Sequence, residues 1–350
     1  MRARKGAQRG TLEQVARAAG VGIATVDRVL NERGNVSALT AERVLAAART
    51  LDLRRVLPGL HRRTLRVEVL LARPELPLVA RMSVEFGKLA QRIDRSVLIQ
   101  RTNLKTDEPR LIAERIRTSA ADGIAIHVES DPEVNAAVDA VTASGRAVVT
   151  FWTDLPGTAR LAYAGVDQTA AGRTAGYFIG RTVSADGRVI VLCKNLALKA
   201  HAERIHGFAE ALARHGRGRA IDEVIEGNDD IDQSEPLLRR SLQRSHEVVA
   251  VYNVGAANRA VASVIHAGLT ATRPVFVGHE LTRFSRPLLL DGTLALVIDQ
   301  NPEQQARFVL DVLMHHFGHT EVTGIAPPYH SDVPFTLYTP ENPGLPFRTS

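Results

Sequence analysis

The first fifty residues place apolar side chains at intervals of three and four positions, which is the spacing of amphipathic helices. Over residues 11–53 this spacing predicts three short helices. Thr11 is suited to cap the first helix, and Gly20 follows it, where a helix end favours a left-handed residue. Two short helices separated by a turn of about three residues predict a helix-turn-helix, whose second helix enters the major groove of DNA.

Beyond residue 65 the pattern changes to short apolar runs that alternate with helical stretches. The runs lack strict alternation, which indicates strands buried on both faces, as in a parallel α/β sheet. The series switches near residues 155–166 and starts again at about Gly187, so two doubly wound halves are predicted. The predicted strands are 65–72, 97–101, 123–128, 147–151, 161–164, 188–193, 221–226, 248–252, 275–277, 295–298 and 335–338.

At 350 residues the chain is longer than one compact core usually requires, so several domains are expected. The predicted fold class is α/β with an all-α N-terminal part. The predicted divisions are a helix-turn-helix headpiece over 1–53, a basic linker over 54–64, a two-lobed domain over 65–340 and a C-terminal tail over 341–350.

Charge is distributed unevenly along the chain. Residues 1–63 hold 13 Lys and Arg against 5 Asp and Glu, whereas the remaining 287 residues hold 31 against 33. A basic module attached to a nearly neutral body indicates a polyanionic partner at one end of the chain. A basic solubilising tail would explain the charge equally well, but it would not explain the predicted helices within the basic segment.

The cysteine content and the apolar runs limit the class of protein further. Cys193 is the single cysteine, which excludes an intramolecular disulfide and a multi-cysteine zinc site. The basic N-terminus is not followed by the apolar stretch of a signal peptide, and no run approaches the roughly 18 apolar residues of a membrane span. A cytoplasmic, nucleoid-associated protein without a membrane partner is therefore expected.

A family resemblance lies in the headpiece. The segment TLEQVARAAGVGIATVDRVLNERGNVSALTAERVLAAA, residues 11–48, resembles the DNA-binding headpiece of the lactose-repressor (LacI/GalR) family almost position for position. The resemblance implies that Ile23, Ala24 and Arg28 read base edges and that Thr25 contacts a phosphate. Arg28 suits guanine O6 and N7, and the two apolar side chains suit thymine methyl groups, although they could instead serve only in helix packing. The headpiece residues predicted to contact DNA are Thr11, Ile23, Ala24, Thr25, Arg28 and Asn31.

Two positions depart from the family pattern. Asp27 stands where the family usually has serine, so its carboxylate either pairs with a nearby arginine or accepts a hydrogen bond from a cytosine amino group. The family also has a hinge helix after the headpiece, which wedges a leucine into the minor groove. Here Pro58-Gly59 would interrupt such a helix. The linker residues predicted to contact DNA are Leu57 or Leu60 as the wedge and Arg54 and Arg55 on phosphates.

The two-lobed body resembles the periplasmic-binding-protein-like sensor domain of the same family over roughly residues 65–340. The resemblance implies effector binding and dimerisation, with the ligand beyond the carboxyl ends of the strands. Asn253, Glu280 and Gln300 follow strands there, at positions where the family binds sugar hydroxyl groups. An acid with two amides suits a polyol because each hydroxyl both donates and accepts hydrogen bonds.

The first half of the body supplies further candidates. Trp152 is expected to stack on a sugar ring and Asp154 to bind hydroxyl groups, while Arg73 is expected to reach the same cleft. The alternatives are a core role for Trp152 and a turn role for Asp154. The family commonly binds ligand with an arginine at the position of Ala202, which suggests that His201 substitutes, since Arg204 aligns better with a structural arginine.

Patterns that resemble enzyme or metal sites are incomplete. His315, His316 and His319 include zinc-like spacing but lack the glutamate of a zincin motif, so a solvated helix end is favoured. The acidic loop with Asp229, Asp230 and Asp232 lacks the glycine and glutamate of a calcium loop and is expected to be solvated. No phosphate-binding loop or nucleophile elbow is found. No catalytic activity, cofactor or metal is therefore expected.

Together these features predict a ligand-responsive transcriptional regulator, expected to be a repressor. It would bind a roughly palindromic double-stranded operator as a homodimer and respond to a sugar, polyol or sugar acid. A solute-binding protein of a transporter with an unrelated basic extension is the alternative, and an enzyme acting on sugars and fused to a DNA-binding module is the third hypothesis.

Overall fold

The computed structural model describes residues 11–31, 36–51, 64–94, 96–244, 247–270, 272–319, 329, 331 and 333–346. The chain forms two compact units, Met1–Thr64 and Leu65–Ser350, and each described part has its own apolar core. In the described residues no helix is both long and apolar enough to cross a membrane.

The smaller unit contains three helices, α1 (Leu12–Ala19), α2 (Ile23–Leu30) and α3 (Ala38–Thr50). Thr11 caps α1 in a capping box, since its side chain accepts from the Gln14 backbone and Gln14 accepts from the Thr11 backbone. Gly20 ends α1 with φ of 64°, the left-handed conformation that glycine tolerates best. The shared core of the three helices is formed by Val15, Ala16, Ala19, Val26, Val29, Leu30, Val44, Leu45, Ala47 and Ala48.

The larger unit, hereafter the larger domain, alternates strands and helices as the sequence predicts. Its first part contains β1 (Leu65–Ala72), α4 (Pro77–Arg92), β2 (Val97–Leu104), α5 (Pro109–Thr118), β3 (Gly123–Ile126), α6 (Pro132–Ala143), β4 (Ala147–Phe151) and β5 (Ala162–Ala164). Its second part contains α7 (Gln168–Thr182), β6 (Arg188–Cys193), α8 (Lys199–His215), β7 (Glu223–Glu226), α9 (Ile231–Arg244), β8 (Val248–Asn253), α10 (Asn258–His266), β9 (Val275–His279), α11 (Ser285–Leu290), β10 (Leu296–Asp299), α12 (Pro302–His316) and β11 (Thr336–Tyr338).

The strands form two sheets, which define two lobes. The first lobe has the order β2-β1-β3-β4-β5, with every neighbouring pair parallel. The second lobe has the order β11-β10-β9-β8-β6-β7, with β11 antiparallel at the edge. Each predicted strand is present, with ends shifted by at most a few residues. The predicted α/β class with two doubly wound halves is therefore confirmed.

The described elements require the chain to cross between the lobes three times, whereas the sequence pattern predicted a single switch. The first crossing joins β5 to α7 in the predicted region. Helix α12 then returns to the first lobe, where Val309, Leu310 and Leu313 pack in one core with residues of β1 and β4. Strand β11 lies again in the second sheet.

Helices α7 and α8 of the second lobe approach unusually closely. A Cβ on Gly172 would lie 2.0 Å from the backbone oxygen of Arg204, and a Cβ on Gly207 would lie 2.1 Å from that of Thr169. Only glycine therefore allows this backbone contact. The contact fixes the first turns of α8, which carry His201 and Arg204, against the start of α7.

Candidate functional site

Helix α2 exposes the residues predicted to read bases. Its buried face consists of Val26, Val29 and Leu30. Ile23 is 48% exposed, and Ala24 and Arg28 are exposed as well. These side chains lie outside the core of the headpiece, so helix packing does not account for Ile23 and Ala24 and they are available to a groove of DNA. Thr25, the predicted phosphate contact, is half-buried beside them.

Asp27 has a hydrogen-bonding partner that the sequence reasoning did not consider. The Asn31 side chain donates to the Asp27 carboxylate at 2.6 Å and to its backbone oxygen at 3.0 Å. The bond orients this carboxylate at the end of α2. Two of the residues predicted to contact DNA therefore also have structural roles, since Thr11 caps α1 and Asn31 caps α2.

The predicted hinge contacts fall in the linker. Arg54, Arg55, Leu57 and Leu60 lie outside the described residues, as does the Pro58-Gly59 pair. The predictions for these residues remain untested.

A cleft of about 380 Å³ lies between the lobes of the larger domain. Its polar lining follows the carboxyl ends of the strands, where ligands bind in open α/β sheets. Arg73 follows β1, Trp152 follows β4, Glu280 follows β9 and Gln300 follows β10. His201 joins them from the first turn of α8. Five of the seven residues predicted to bind the effector therefore line one cleft.

The other two predicted residues do not line the cleft. Asp154 forms a two-pronged ion pair with Arg160, at 2.5 and 2.8 Å, and accepts from the backbone of Leu155, so its role is that of a turn residue. Asn253 is fully buried and donates to the side chain of Asn258 at 2.7 Å. Asn258 lines the cleft in its place.

Backbone strain concentrates around the cleft. Four lining residues other than glycine have positive φ: Arg73 at 53°, Trp152 at 60°, Asp229 at 54° and Glu280 at 67°. Each such residue costs on the order of 1–3 kcal/mol and persists only where the surrounding structure holds it. This strain turns side chains at the strand ends towards the space between the lobes.

A chain of buried hydrogen bonds connects the polar lining. Gln300 donates to Glu280 at 2.6 Å and accepts from Gln168 at 3.0 Å. Gln168 in turn accepts from Arg204 at 2.8 Å. Burial, together with the charge of Asp299, raises the pKa of Glu280 to about 7. The chain links β9, β10, α7 and α8, so the orientation of each polar group depends on its neighbours.

Several polar atoms at the cleft lack a hydrogen-bonding partner among the described residues. They are Trp152 Nε1, Glu280 Oε2, His127 Nδ1 and His279 Nδ1. Trp152 is only 4% exposed and Glu280 only 7%. Buried polar atoms are nearly always paired, so a concentration of unpaired ones at a cleft indicates a polar ligand.

Two histidines in the cleft are held neutral. Burial lowers the pKa of His127, whose ring meets that of Trp152 edge-on at 5.1 Å, to about 4. Burial also lowers the pKa of His201 to about 3, with the charge of Arg204 contributing. His201 Nδ1 accepts from the Lys194 backbone at 3.1 Å, which assigns the proton to its Nε2. These rings therefore offer hydrogen bonds without charge.

Ion pairs connect the lobes at two places. Lys194, which follows β6 in the second lobe, pairs with Glu129, which follows β3 in the first lobe. Arg81 of α4 pairs with Asp299 at the end of β10 and donates to the backbone of Leu281 at 3.0 Å. Both contacts bridge the two walls of the cleft, so any relative movement of the lobes would change them.

Sequence reasoning missed several lining residues, including His127, Asp229 and Asn258. A signal was present for the first two, since both lie just beyond the carboxyl ends of strands, as the predicted residues do. The described residues contain no cluster of three or more His, Cys, Asp or Glu side chains that could hold a metal ion.

Comparisons with known families match both parts of the chain. Residues 11–55 match the family described as bacterial regulatory proteins of the lacI family, and residues 80–321 match the periplasmic binding protein domain. The chain therefore belongs to the lacI family of bacterial regulatory proteins, with a periplasmic binding protein domain as its larger part. A comparison with curated proteins finds no match.

Solved structures resemble the larger part at low sequence identity. An ABC transporter solute-binding protein from Burkholderia graminis in complex with D-arabinose has a TM-score of 0.71 and 21% identity, over 79% of this chain and 96% of that chain. The glucose-galactose binding protein GanP from Geobacillus stearothermophilus has a TM-score of 0.69 and 20% identity, over 79% and 98%. A solute-binding protein from Bacillus halodurans with bound myo-inositol has a TM-score of 0.70 and 15% identity, over 80% and 96%. These similarities establish the fold.

Proposed function

We propose that this protein is a transcriptional regulator that binds a pseudo-palindromic operator as a homodimer and responds to a small sugar-like or polyol effector. One observation carries the proposal: a lacI-family helix-turn-helix shares a chain with a cleft where strained backbone and unpaired polar atoms converge. The first feature supports DNA as a partner, and the second supports a polar small molecule.

The exposed face of α2 supports the choice of DNA contacts. Ile23, Ala24 and Arg28 are available for base edges, with Thr25 beside them for a phosphate. A single headpiece offers few base contacts, which is why we propose a homodimer on two half-sites. In the linker, Arg54 and Arg55 would contact phosphates, and Leu57 or Leu60 would act as the minor-groove wedge.

The cleft supports a polyhydroxylated effector. Trp152 packs its ring in the apolar core of the first lobe but offers an unpaired N–H, and Glu280 offers an unpaired carboxyl oxygen. Arg73, His201 and Gln300 surround the same space. The similar solute-binding proteins hold D-arabinose and myo-inositol, which are compounds of this kind. An effector that contacts both lobes would bind most tightly to the arrangement in which the two lobes lie close enough to contact it together. Because its affinity for that arrangement is higher, it would shift the conformational equilibrium towards it.

The solute-binding alternative is disfavoured by its domain content. The similar transporter proteins are covered over 96% or more of their length, which leaves them little chain beyond this fold, whereas this chain also carries the helix-turn-helix. Neither matched family is described as an enzyme. We therefore propose a non-catalytic regulator that works in the cytoplasm.

Operator selection tests the proposal. The full chain would enrich duplexes from a random library, and fluorescence anisotropy would then measure binding to the enriched duplex at several salt concentrations. We expect a half-site repeat, affinity that falls steeply with salt, and an affinity change on adding a sugar or polyol that raises the melting temperature. Failure to enrich any sequence would contradict the DNA-binding half. Enrichment without any ligand effect would contradict the sensing half alone.

A further inference from the structure

Asp229 occupies a constrained position on the wall of the cleft. It lies in the loop after β7, where sequence reasoning expected a solvated acidic segment. Instead Asp229 lines the cleft and is half-buried, which corrects that expectation. Asn228 and Asp229 both have φ of 54°, so two consecutive residues are held in the left-handed region. Asn and Asp tolerate this region better than other residues with a side chain, so both suit this turn.

Contacts with the loop after β8 hold the carboxylate in place. Asp229 Oδ1 accepts a hydrogen bond from the backbone of Ala256 at 2.8 Å. A Cβ on Gly255 would lie 2.1 Å from the same oxygen and 2.9 Å from His201 Cε1. Glycine at 255 therefore lets the carboxylate and the imidazole approach each other at this point of the cleft.

We propose that Asp229 is a ligand-binding carboxylate that acts with Glu280 to select neutral polyhydroxy compounds and to reject sugar acids. The inference rests on the proposed function, because it names the class of effector that the interlobe cleft accepts. From the family resemblance we expected His201 to take over ligand binding from the arginine that the family commonly has at the position of Ala202. In the structure, His201 and the Asp229 carboxylate both lie next to Gly255 at this point of the cleft.

The unpaired atoms of the cleft independently indicate a ligand there. Glu280 Oε2 and Trp152 Nε1 are buried without partners among the described residues. One requires a donor and the other an acceptor, and a hydroxyl group supplies both. Asp229 Oδ1 already accepts a hydrogen bond from Ala256, so the acceptor that Asp229 adds on the second lobe is its other oxygen, Oδ2. A compound with several hydroxyl groups can therefore satisfy the two carboxyl groups and the indole together.

Three of the four basic residues of the cleft have a hydrogen-bonded or ionic partner. Lys194 pairs with Glu129, Arg73 pairs with Glu75 at 3.3 Å, and Arg204 donates to Gln168 and to the backbone of Val254. The exposed Arg259 lies 4.7 Å from the ring centre of Phe284. These four are the basic side chains among the described lining residues. A ligand carboxylate beside Asp229 and Glu280 would therefore have to displace one of the three existing partners, because only the exposed Arg259 has neither a hydrogen-bonded nor an ionic partner among the described residues.

The protonation of the two acids favours the same conclusion. Burial raises the pKa of Asp229, and burial with the charge of Asp299 raises that of Glu280. Negative charge is therefore already unfavourable at both carboxyl groups. Another anion in the cleft would increase that penalty, whereas a neutral polyol adds no charge.

Matched ligand pairs test the inference on the full chain. D-arabinose, D-glucose, D-galactose and galactitol are compared with D-arabinonate, D-gluconate, D-galacturonate and D-galactonate, by thermal shift and then by calorimetry. We expect at least one neutral compound to raise the melting temperature while its acid counterpart does not. Asp229→Asn should weaken binding of that compound at least tenfold, because an amide nitrogen replaces one of the two carboxylate acceptors. The loop itself should be retained, because asparagine keeps the acceptor for Ala256 and tolerates positive φ. Asp232→Asn, a neutralised exposed acid close by on α9, should bind like the wild type.

The outcomes separate the inference from the proposed function. Binding of an acid in preference to its neutral counterpart would overturn the inference and leave a ligand-responsive regulator standing. Unchanged affinity in Asp229→Asn would overturn it in the same way. If no compound of either kind binds, both the inference and the sensing half of the proposed function fail, while operator binding is measured separately.

Discussion

The headpiece and the cleft position their candidate functional residues in different ways. The headpiece presents Ile23, Ala24 and Arg28 on the exposed face of one eight-residue helix, whose opposite face forms the core. The cleft assembles its residues from segments as distant as Arg73 and Gln300, and most of its candidate residues are buried. A substitution on the exposed face of α2 should therefore affect DNA binding alone, whereas one in the cleft should affect ligand binding and stability together.

The largest effect is expected from Gln300→Ala. The change leaves the buried Glu280 carboxyl without its hydrogen-bond donor, and it removes one acceptor from Gln168, which keeps its bond from Arg204. We expect loss of the ligand response and a decrease of about 2–4 kcal/mol in the free energy of unfolding, with operator affinity unchanged. Calorimetry, denaturant unfolding and anisotropy would measure the three quantities. Gln304→Ala, on the exposed first turn of α12, is the matched control and should change none of them.

Glu280 should make the stability of the larger domain depend on pH. Its pKa is raised from 4.5 to about 7, first by burial and then by the charge of Asp299, while Gln300, Arg204 and Arg81 act against the rise. A raised carboxyl pKa stabilises the folded state below pH 4.5, and this contribution disappears as the pH rises through 7. Relative to Glu280→Gln, the wild-type free energy of unfolding should fall between about pH 4.5 and 8, by on the order of 3 kcal/mol. Parallel profiles for the two proteins would contradict the assignment.

Arg28→Ala tests the separation of binding from stability in the headpiece. Arg28 is exposed at the predicted base-reading position, so its removal should cost about 1–3 kcal/mol of operator binding and relax specificity at one base pair. Unfolding should be unaffected. Anisotropy with operators altered one base pair at a time would locate the relaxed position. Arg17→Ala, at the exposed end of α1, should weaken binding to all these operators equally if it affects binding at all.

The sequence predicted the elements of the fold better than the positions of its side chains. Apolar runs reveal strands, so all predicted strands were found, but the pattern of α12 does not say which lobe it covers. Asp154 and Asp229 illustrate the limit within the cleft. Both are acids that follow strands, yet Arg160 binds the first away from the cleft, while Gly255 admits the second. Such contacts join residues far apart in sequence, and local pattern carries no information about them.

A substitution at Gly20 should produce the smallest effect. It tests whether a headpiece substitution can change stability without changing DNA binding directly. Gly20 ends α1 at φ of 64°, and a Cβ there would lie 2.7 Å from the guanidinium of Arg43. Gly20→Ala should therefore destabilise the headpiece by about 1 kcal/mol, as measured by denaturant unfolding. Its effect on operator binding should follow only from the unfolded fraction.

Gly22 is the matched control for Gly20. It has φ of −74°, and a Cβ there would meet no described residue within 4 Å, so Gly22→Ala should be nearly neutral in stability. If Gly20→Ala proved as stable as Gly22→Ala, the turn between α1 and α2 would tolerate a left-handed side chain. Substitutions in this turn would then leave the stability of the headpiece unchanged, as substitutions on the exposed face of α2 are expected to do.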